Sequence, residues 1–186
     1  RDAAETGLCS ACAPGTFKAE LGDLSCEPCV LNTFARVAGA ASCDACPSGT
    51  VTLQTGAAAC VCAQGYGFAD GATVCAPCPP GFFKDSAANV SCVPCPVNTS
   101  QPAEGRTQCE PCLANAVTES AGGLTCSCVP GFEMGADGAC QLCAPGTARA
   151  ATDAAACAAC AANTSAPDAG SVACTPCGAA SITLAE

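Results

Sequence analysis

"CPPGFFKDSAANVSCVPCPVNTSQPAEGRTQCEPC" spans Cys78–Cys112; it closes one cysteine doublet and carries two more, at Cys92/Cys95 and Cys109/Cys112. The question it raises is why the doublets recur at a fixed interval. Along the chain they begin at residues 9, 26, 43, 60, 75, 92, 109, 126, 140, 157 and 174. The steps are 17, 17, 17, 15, 17, 17, 17, 14, 17 and 17 residues. Periodicity of this order is the signature of repeat architecture. Nine doublets are C-x-x-C, and two are C-x-C, Cys60/Cys62 and Cys126/Cys128, which start 66 residues apart. Each C-x-C doublet precedes a glycine-aromatic stretch, "GYGF" at 65–68 and "GFEM" at 131–134. Four modules therefore form one super-repeat. The expected division is 1–8, the tail of a preceding module; 9–74; 75–139; and 140–186, an incomplete third super-repeat.

Other positions keep the same beat. Three residues after the second cysteine of a doublet stands Gly15, Asn32, Gly49, Gly65, Gly81, Asn98, Asn115, Gly131, Gly146 or Asn163. Glycine and asparagine are the residues that tolerate positive φ. Proline precedes glycine at Pro14-Gly15, Pro80-Gly81, Pro130-Gly131 and Pro145-Gly146, which fits the centre of a type II turn. The six glycines are expected to be turn residues. Each module reads as turn, short extended piece, turn, cysteine. Thr16-Phe17, Thr33-Phe34 and Phe82-Phe83 occupy extended pieces too short to be stable alone. The expected fold is small and disulfide-rich: an elongated tandem array of irregular short β-hairpin modules with little or no helix. The alanine-rich stretch 148–162 has helix propensity, but Cys157 and Cys160 interrupt it in phase with the repeat.

Composition agrees. The 186 residues include 22 cysteines, but only six Phe, one Tyr, one Met and no Trp. Alanine and cysteine supply much of the 50% apolar fraction, so few large side chains can anchor a core. Small units held by covalent staples are the alternative. Net charge is −10 with six basic residues spread from Arg1 to Arg149, which excludes a nucleic-acid surface. No apolar run is long enough to span a membrane.

In a disulfide reading, each doublet puts two sulfurs on one corner, one bonding backward and one forward. The simplest ladder joins Cys12–Cys26, Cys29–Cys43, Cys46–Cys60, Cys62–Cys75, Cys78–Cys92, Cys95–Cys109, Cys112–Cys126, Cys128–Cys140, Cys143–Cys157 and Cys160–Cys174. It leaves Cys9 and Cys177 for disulfides to partners outside the segment. An interleaved pattern, such as Cys9–Cys26 with Cys12–Cys29, satisfies the same spacing, because connectivity does not follow from sequence alone. Closing a loop of about 15 residues contributes roughly 3 kcal/mol in the chain-entropy account. The spacing C-x2-C-x13-C-x2-C also lies near that of zinc ribbons. Eleven doublets in an unbroken chain, two C-x-C variants and the lack of a basic surface argue against metal. A redox C-x-x-C needs one motif on a βαβ unit. The two ends read as cuts: "CGAASITLAE" from Cys177 matches "CPSGTVTLQT" from Cys46 without its closing cysteine, and "RDAAETGLC" matches the end of a C-x-C module.

Asn89-Val90-Ser91, Asn98-Thr99-Ser100 and Asn163-Thr164-Ser165 are N-glycosylation acceptors. Asn98 and Asn163 hold the same turn position in successive super-repeats; Asn32 does too, but Phe34 spoils its sequon. The competing role for these asparagines is the positive φ of the turn.

The run from Cys78 to Cys112, with "CSCVPGF" at 126–132, resembles the ephrin-receptor-like cysteine-rich repeat, akin in style to EGF-like and tumour-necrosis-factor-receptor modules. The C-x-x-C-P-x-G and C-x-C-x-x-G-[YF] elements carry the resemblance from Cys9 to Cys177. It implies an extracellular, disulfide-bonded, elongated protein. The alanine-rich filler is similar to that of proteins from GC-rich genomes such as green algae, where such arrays occur in mastigoneme-like surface glycoproteins. The acidic cluster of calcium-binding EGF domains is missing, so no calcium, other metal or cofactor is expected.

Enzyme chemistry is not expected. The chain has no histidine, and Asp85 and Glu110 read as solvated charges rather than an acid–base pair. The expected role is structural: a rod or filament segment of an extracellular fibre, coat or stalk glycoprotein. Its partners would be further copies, joined head to tail or helically, or other extracellular proteins, with covalent glycans. The alternative is the ectodomain of a receptor or adhesion protein, for which Phe82-Phe83 beside Lys84 is the one candidate contact.

Overall fold

The computed structural model describes residues 10–20, 25–68, 74–152 and 155–178. Cys9, and with it the expected tail 1–8, lies outside the described residues. The described chain contains no helix. It consists of two-stranded antiparallel hairpins in tandem, from Thr16–Phe17 with Glu27–Pro28 to Thr164–Ser165 with Thr175–Pro176. Most strands have two residues. The hairpins after the C-x-C corners have three: Tyr66–Phe68 pairs with Cys75–Pro77, and Phe132–Met134 with Cys140–Leu142.

The first strand of each hairpin leaves a tight turn, and the second strand is the doublet itself. Pro28, Pro94, Pro111 and Pro176 are exposed on that second strand. Proline has no N–H to donate, so it suits an edge and blocks pairing with another chain there. The alanine-rich stretch follows the same pattern: Thr147–Ala148 pairs with Ala158–Ala159.

Ten disulfides link the described modules in consecutive order. They are Cys12–Cys26, Cys29–Cys43, Cys46–Cys60, Cys62–Cys75, Cys78–Cys92, Cys95–Cys109, Cys112–Cys126, Cys128–Cys140, Cys143–Cys157 and Cys160–Cys174. The sequence separation is 14 except after the C-x-C corners, where it is 13 and 12. Sulfur replaces hydrocarbon in the interior: Cys29, Cys62, Cys78, Cys95 and Cys143 are fully buried. Cys12, Cys128, Ala35, Ala148 and Ala166 are the other buried apolar residues among those described.

The chain divides into two compact units, residues 1–93 with 103–108 and residues 94–102 with 109–186. In both, backbone hydrogen bonds tie each module to the next. In the first unit Gly15 N donates to Ala35 O (2.8 Å), and Gly39 N donates back to Cys12 O (2.8 Å). In the second, Gly146 N donates to Ala166 O (2.7 Å), and Gly170 N to Cys143 O (2.8 Å). Second neighbours also touch, which simple nearest-neighbour stacking does not anticipate. A Cβ on Gly15 would lie 2.0 Å from Gly56 O, and one on Gly131 would lie 2.4 Å from Gly170 O.

Candidate functional site: the module corner

The corner after each doublet is the most regular feature of the structure. The residue after the second cysteine accepts a hydrogen bond from the N–H three residues on: Thr16 N to Ala13 O, Thr50 N to Pro47 O, Phe82 N to Pro79 O, Thr147 N to Ala144 O. The third turn residue has positive φ, 86° at Gly15, 81° at Gly81 and 66° at Asn98 and Asn163. Gly49, Gly65, Gly131 and Gly146 share that conformation. Threonine at the exit doubles the bond, since Thr16, Thr33, Thr50, Thr99, Thr147 and Thr164 each send Oγ1 to the same carbonyl. The second cysteine's successor module closes the turn, as where Cys29 N donates to Gly15 O.

Asparagine and glycine use the corner differently. Asn32 N and Asn98 N donate to the Thr52 and Thr118 hydroxyls, both at 2.8 Å, instead of to a backbone carbonyl. All four corner asparagines, Asn32, Asn98, Asn115 and Asn163, are exposed. Asn89 is exposed too, and its Oδ1 accepts from Cys62 N (3.0 Å). The three sequon asparagines are thus on the surface, Asn98 and Asn163 on turns and Asn89 beside a C-x-C corner.

A buried position escaped the sequence reading. Six residues after the second cysteine, Ala35, Thr52, Lys84, Gln101, Thr118, Arg149 and Ala166 are buried, whereas Lys18 and Phe68 are half-buried and Met134 is exposed. Its side chain lies under the adjoining corner, which explains the mixture of small, hydroxyl and long residues. Lys84 is 3% exposed; its Nζ donates to Cys62 O (3.3 Å) and Ala63 O (3.1 Å). Arg149 is 5% exposed; its Nη1 donates to Cys128 O (3.3 Å) and to Phe132 O. Both cations serve a C-x-C corner. Lys18 occupies the same register in the first super-repeat. Three of six basic residues, at 18, 84 and 149, therefore recur at the super-repeat interval, a signal that lies in the spacing of the charges and not in any cluster of them. Burial lowers the Lys84 pKa, and the neighbouring Asp85 carboxylate partly opposes the shift.

Phe82 and Phe83 are half-buried. Phe82 shares a groove of about 240 Å³ with Phe68, Pro77, Pro79 and the Cys92 end of a disulfide. Gly67 makes room there, since a Cβ would meet Cys92 Sγ at 2.8 Å. Arg36 lies 6.0 Å from the Phe34 ring centroid, a cation–π contact. Exposed apolar side chains gather at corners as well, among them Val30, Leu31, Val97 and Leu113. Asp85 and Glu110 are both exposed. Cys177 is half-buried and carries a free thiol. No group of three or more His, Cys, Asp or Glu among the described residues could hold a metal ion, and no described helix is long and apolar enough to cross a membrane.

A family model described as tyrosine-protein kinase ephrin type A/B receptor-like matches residues 2–41, 24–60, 65–105 and 88–127. The four overlapping matches cover roughly two thirds of the chain. No curated protein matches it.

Proposed function

From a chain that belongs to the ephrin type A/B receptor-like family of cysteine-rich repeats, we propose a structural segment of an extracellular fibre, coat or stalk glycoprotein. Disulfide-rich repeats of this family point to an extracellular or secreted setting, where such bonds persist. The observation that carries the structural reading is the module-to-module hydrogen-bond ladder. It recurs in both units, uses backbone groups, and places only small or corner-bound side chains in the interior. A ladder of this kind extends by adding modules, whichever residues decorate it. Contact between copies through unlike faces would be heterologous and would build an open filament. N-glycans on Asn89, Asn98 and Asn163 would keep such a surface hydrated; all three acceptors are exposed. Cys9 and Cys177 would bond to cysteines of adjoining segments.

Electron microscopy of the native secreted material tests this reading. Regular filaments or stalks support it; discrete, unassembled molecules that capture a soluble protein ligand overturn it. That second outcome is the recognition reading, an ectodomain that binds a partner. The groove beside Phe82 and the apolar corner at Val30-Leu31 are the observations that favour it. Peptide mapping by mass spectrometry without reduction reads the cysteine partners and the three glycan positions in the same sample.

A further inference from the structure

The two C-x-C corners differ from all others in what fills them. A C-x-C doublet has one residue fewer between its cysteines, and the hairpin that follows gains a residue in each strand. At the first such corner the consecutive carbonyls of Cys62 and Ala63 both turn toward one point, occupied by Lys84 Nζ. At the second, the carbonyls of Cys128 and Phe132 converge on Arg149 Nη1. The two corners lie in different compact units, so the arrangement is formed twice. Carbonyl oxygens facing one another in a dry interior repel unless a donor stands between them.

We infer that the C-x-C corners are joints of the array, and that a single buried cation from the following module locks each one. The lock acts by position. Lys84 is the sixth residue after the second cysteine of its own doublet, so its ammonium reaches the corner only when its module is docked in register. Docking makes three further bonds across the joint: Gly65 N to Lys84 O (2.9 Å), Ala88 N to Cys62 O (3.0 Å), and Cys62 N to Asn89 Oδ1 (3.0 Å). At the second joint Gly131 N to Arg149 O (2.8 Å) is the equivalent bond. Joints without a cation are closed by backbone bonds and, at some, a threonine hydroxyl, as where Gly56 N donates to Cys29 O (2.7 Å) and Asn32 N to Thr52 Oγ1 (2.8 Å). A buried charge of this kind contributes register rather than net stability, because its desolvation offsets much of its attraction.

The test is amide hydrogen exchange on the full, oxidised protein carrying Lys84→Met, Lys84→Arg or Lys84→Ala. Disulfide mapping first shows that the ten bridges are intact. Lys84→Met keeps the volume and removes the donor, so Gly65 and Ala88 should exchange on the order of ten times faster, as when a hydrogen bond to a charged group is lost. Gly39 and Gly56, at joints without a cation, should be unchanged. Lys84→Arg should retain protection. Arg149→Met should act in the same way on Gly131. Protection of Gly65 and Ala88 that survives Lys84→Met and falls only in Lys84→Ala would mean that the side chain fills space, and the lock would be overturned. Loss of protection spread equally over Gly39 and Gly56 would overturn it too.

Discussion

At the residue scale, two positions carry constraints that no neighbour can relieve. Gly65 has a φ of 73°, and a Cβ there would sit 2.3 Å from Gly105 O, a backbone atom with nowhere to move. Gly65→Ala therefore combines left-handed strain of about 1–2 kcal/mol with a steric clash, and should lower stability by more than ~2 kcal/mol. Asn98→Gly keeps a permitted conformation and should change stability by well under ~1 kcal/mol. Urea denaturation of the two variants side by side checks the contrast. The need for positive φ was legible in the sequence at both positions, because glycine and asparagine recur there in phase. The clash at Gly65 was not, because its partner lies 40 residues away. Lys84 makes the second residue-scale prediction. Its pKa is lowered by burial, so between that lowered value and the unfolded value of about 10.4 the native state binds fewer protons than the unfolded chain. Stability contributed through this group must then rise with pH across that window. Urea midpoints measured from about pH 8 to about pH 10.5, with free thiols alkylated, should show a rising contribution that Lys84→Met removes.

At the element scale, a two-residue hairpin is held by its staple more than by its ladder. Two residues make too few strand bonds for a stable sheet. The bridge Cys29–Cys43 closes the hairpin of Thr33–Phe34 with Asp44–Ala45, and the Cys29 sulfur is fully buried. Replacing Cys29 and Cys43 together by alanine should cost roughly 2–5 kcal/mol, read from the denaturation midpoint. Gly15 O accepts from Cys29 N, so faster exchange should reach the turn before it as well as the hairpin itself. The existence of hairpins could be read from turn residues flanking Thr-aromatic pairs. What could not be read is which second cysteines are buried. Cys78 and Cys95 are covered because Gly105 N and Gly122 N bond to their carbonyls. Cys112 is only half-buried. The glycine that could cover it, Gly138, donates instead to Gly135 within its own hairpin.

At the scale of the whole molecule, stability is expected to accumulate module by module. Each module gains its inter-module hydrogen bonds only when a neighbour is present, which is the behaviour of a one-dimensional array. Shortening the chain from the C-terminus in steps of one module should lower the denaturation midpoint progressively, with the largest change per module in the shortest chains. A series with a constant midpoint would show that modules are independent beads. Contacts of the Gly15–Gly56 kind sharpen the expectation: removing the module that carries Gly56 should weaken the module two places before it, not only its neighbour. Charge belongs to this scale too. The net −10 disfavours close approach of copies at low salt, so assembly into filaments should strengthen as salt is raised.

The sequence by itself determined the period, the doublets, the positive-φ corners and the hairpins between them, because these follow from covalent spacing and from the steric limits of single residues. Only the tertiary structure decided the interior. The sixth position buried after seven of the second cysteines, the corner bonds of Lys84 and Arg149, and the glycine contacts between second neighbours all depend on residues roughly 20 to 40 apart meeting. Such meetings leave no local pattern of hydrophobicity when the buried side chains are as unlike as alanine, threonine, lysine and arginine. Their common cause is a place in the stack, which exists only once the modules have docked.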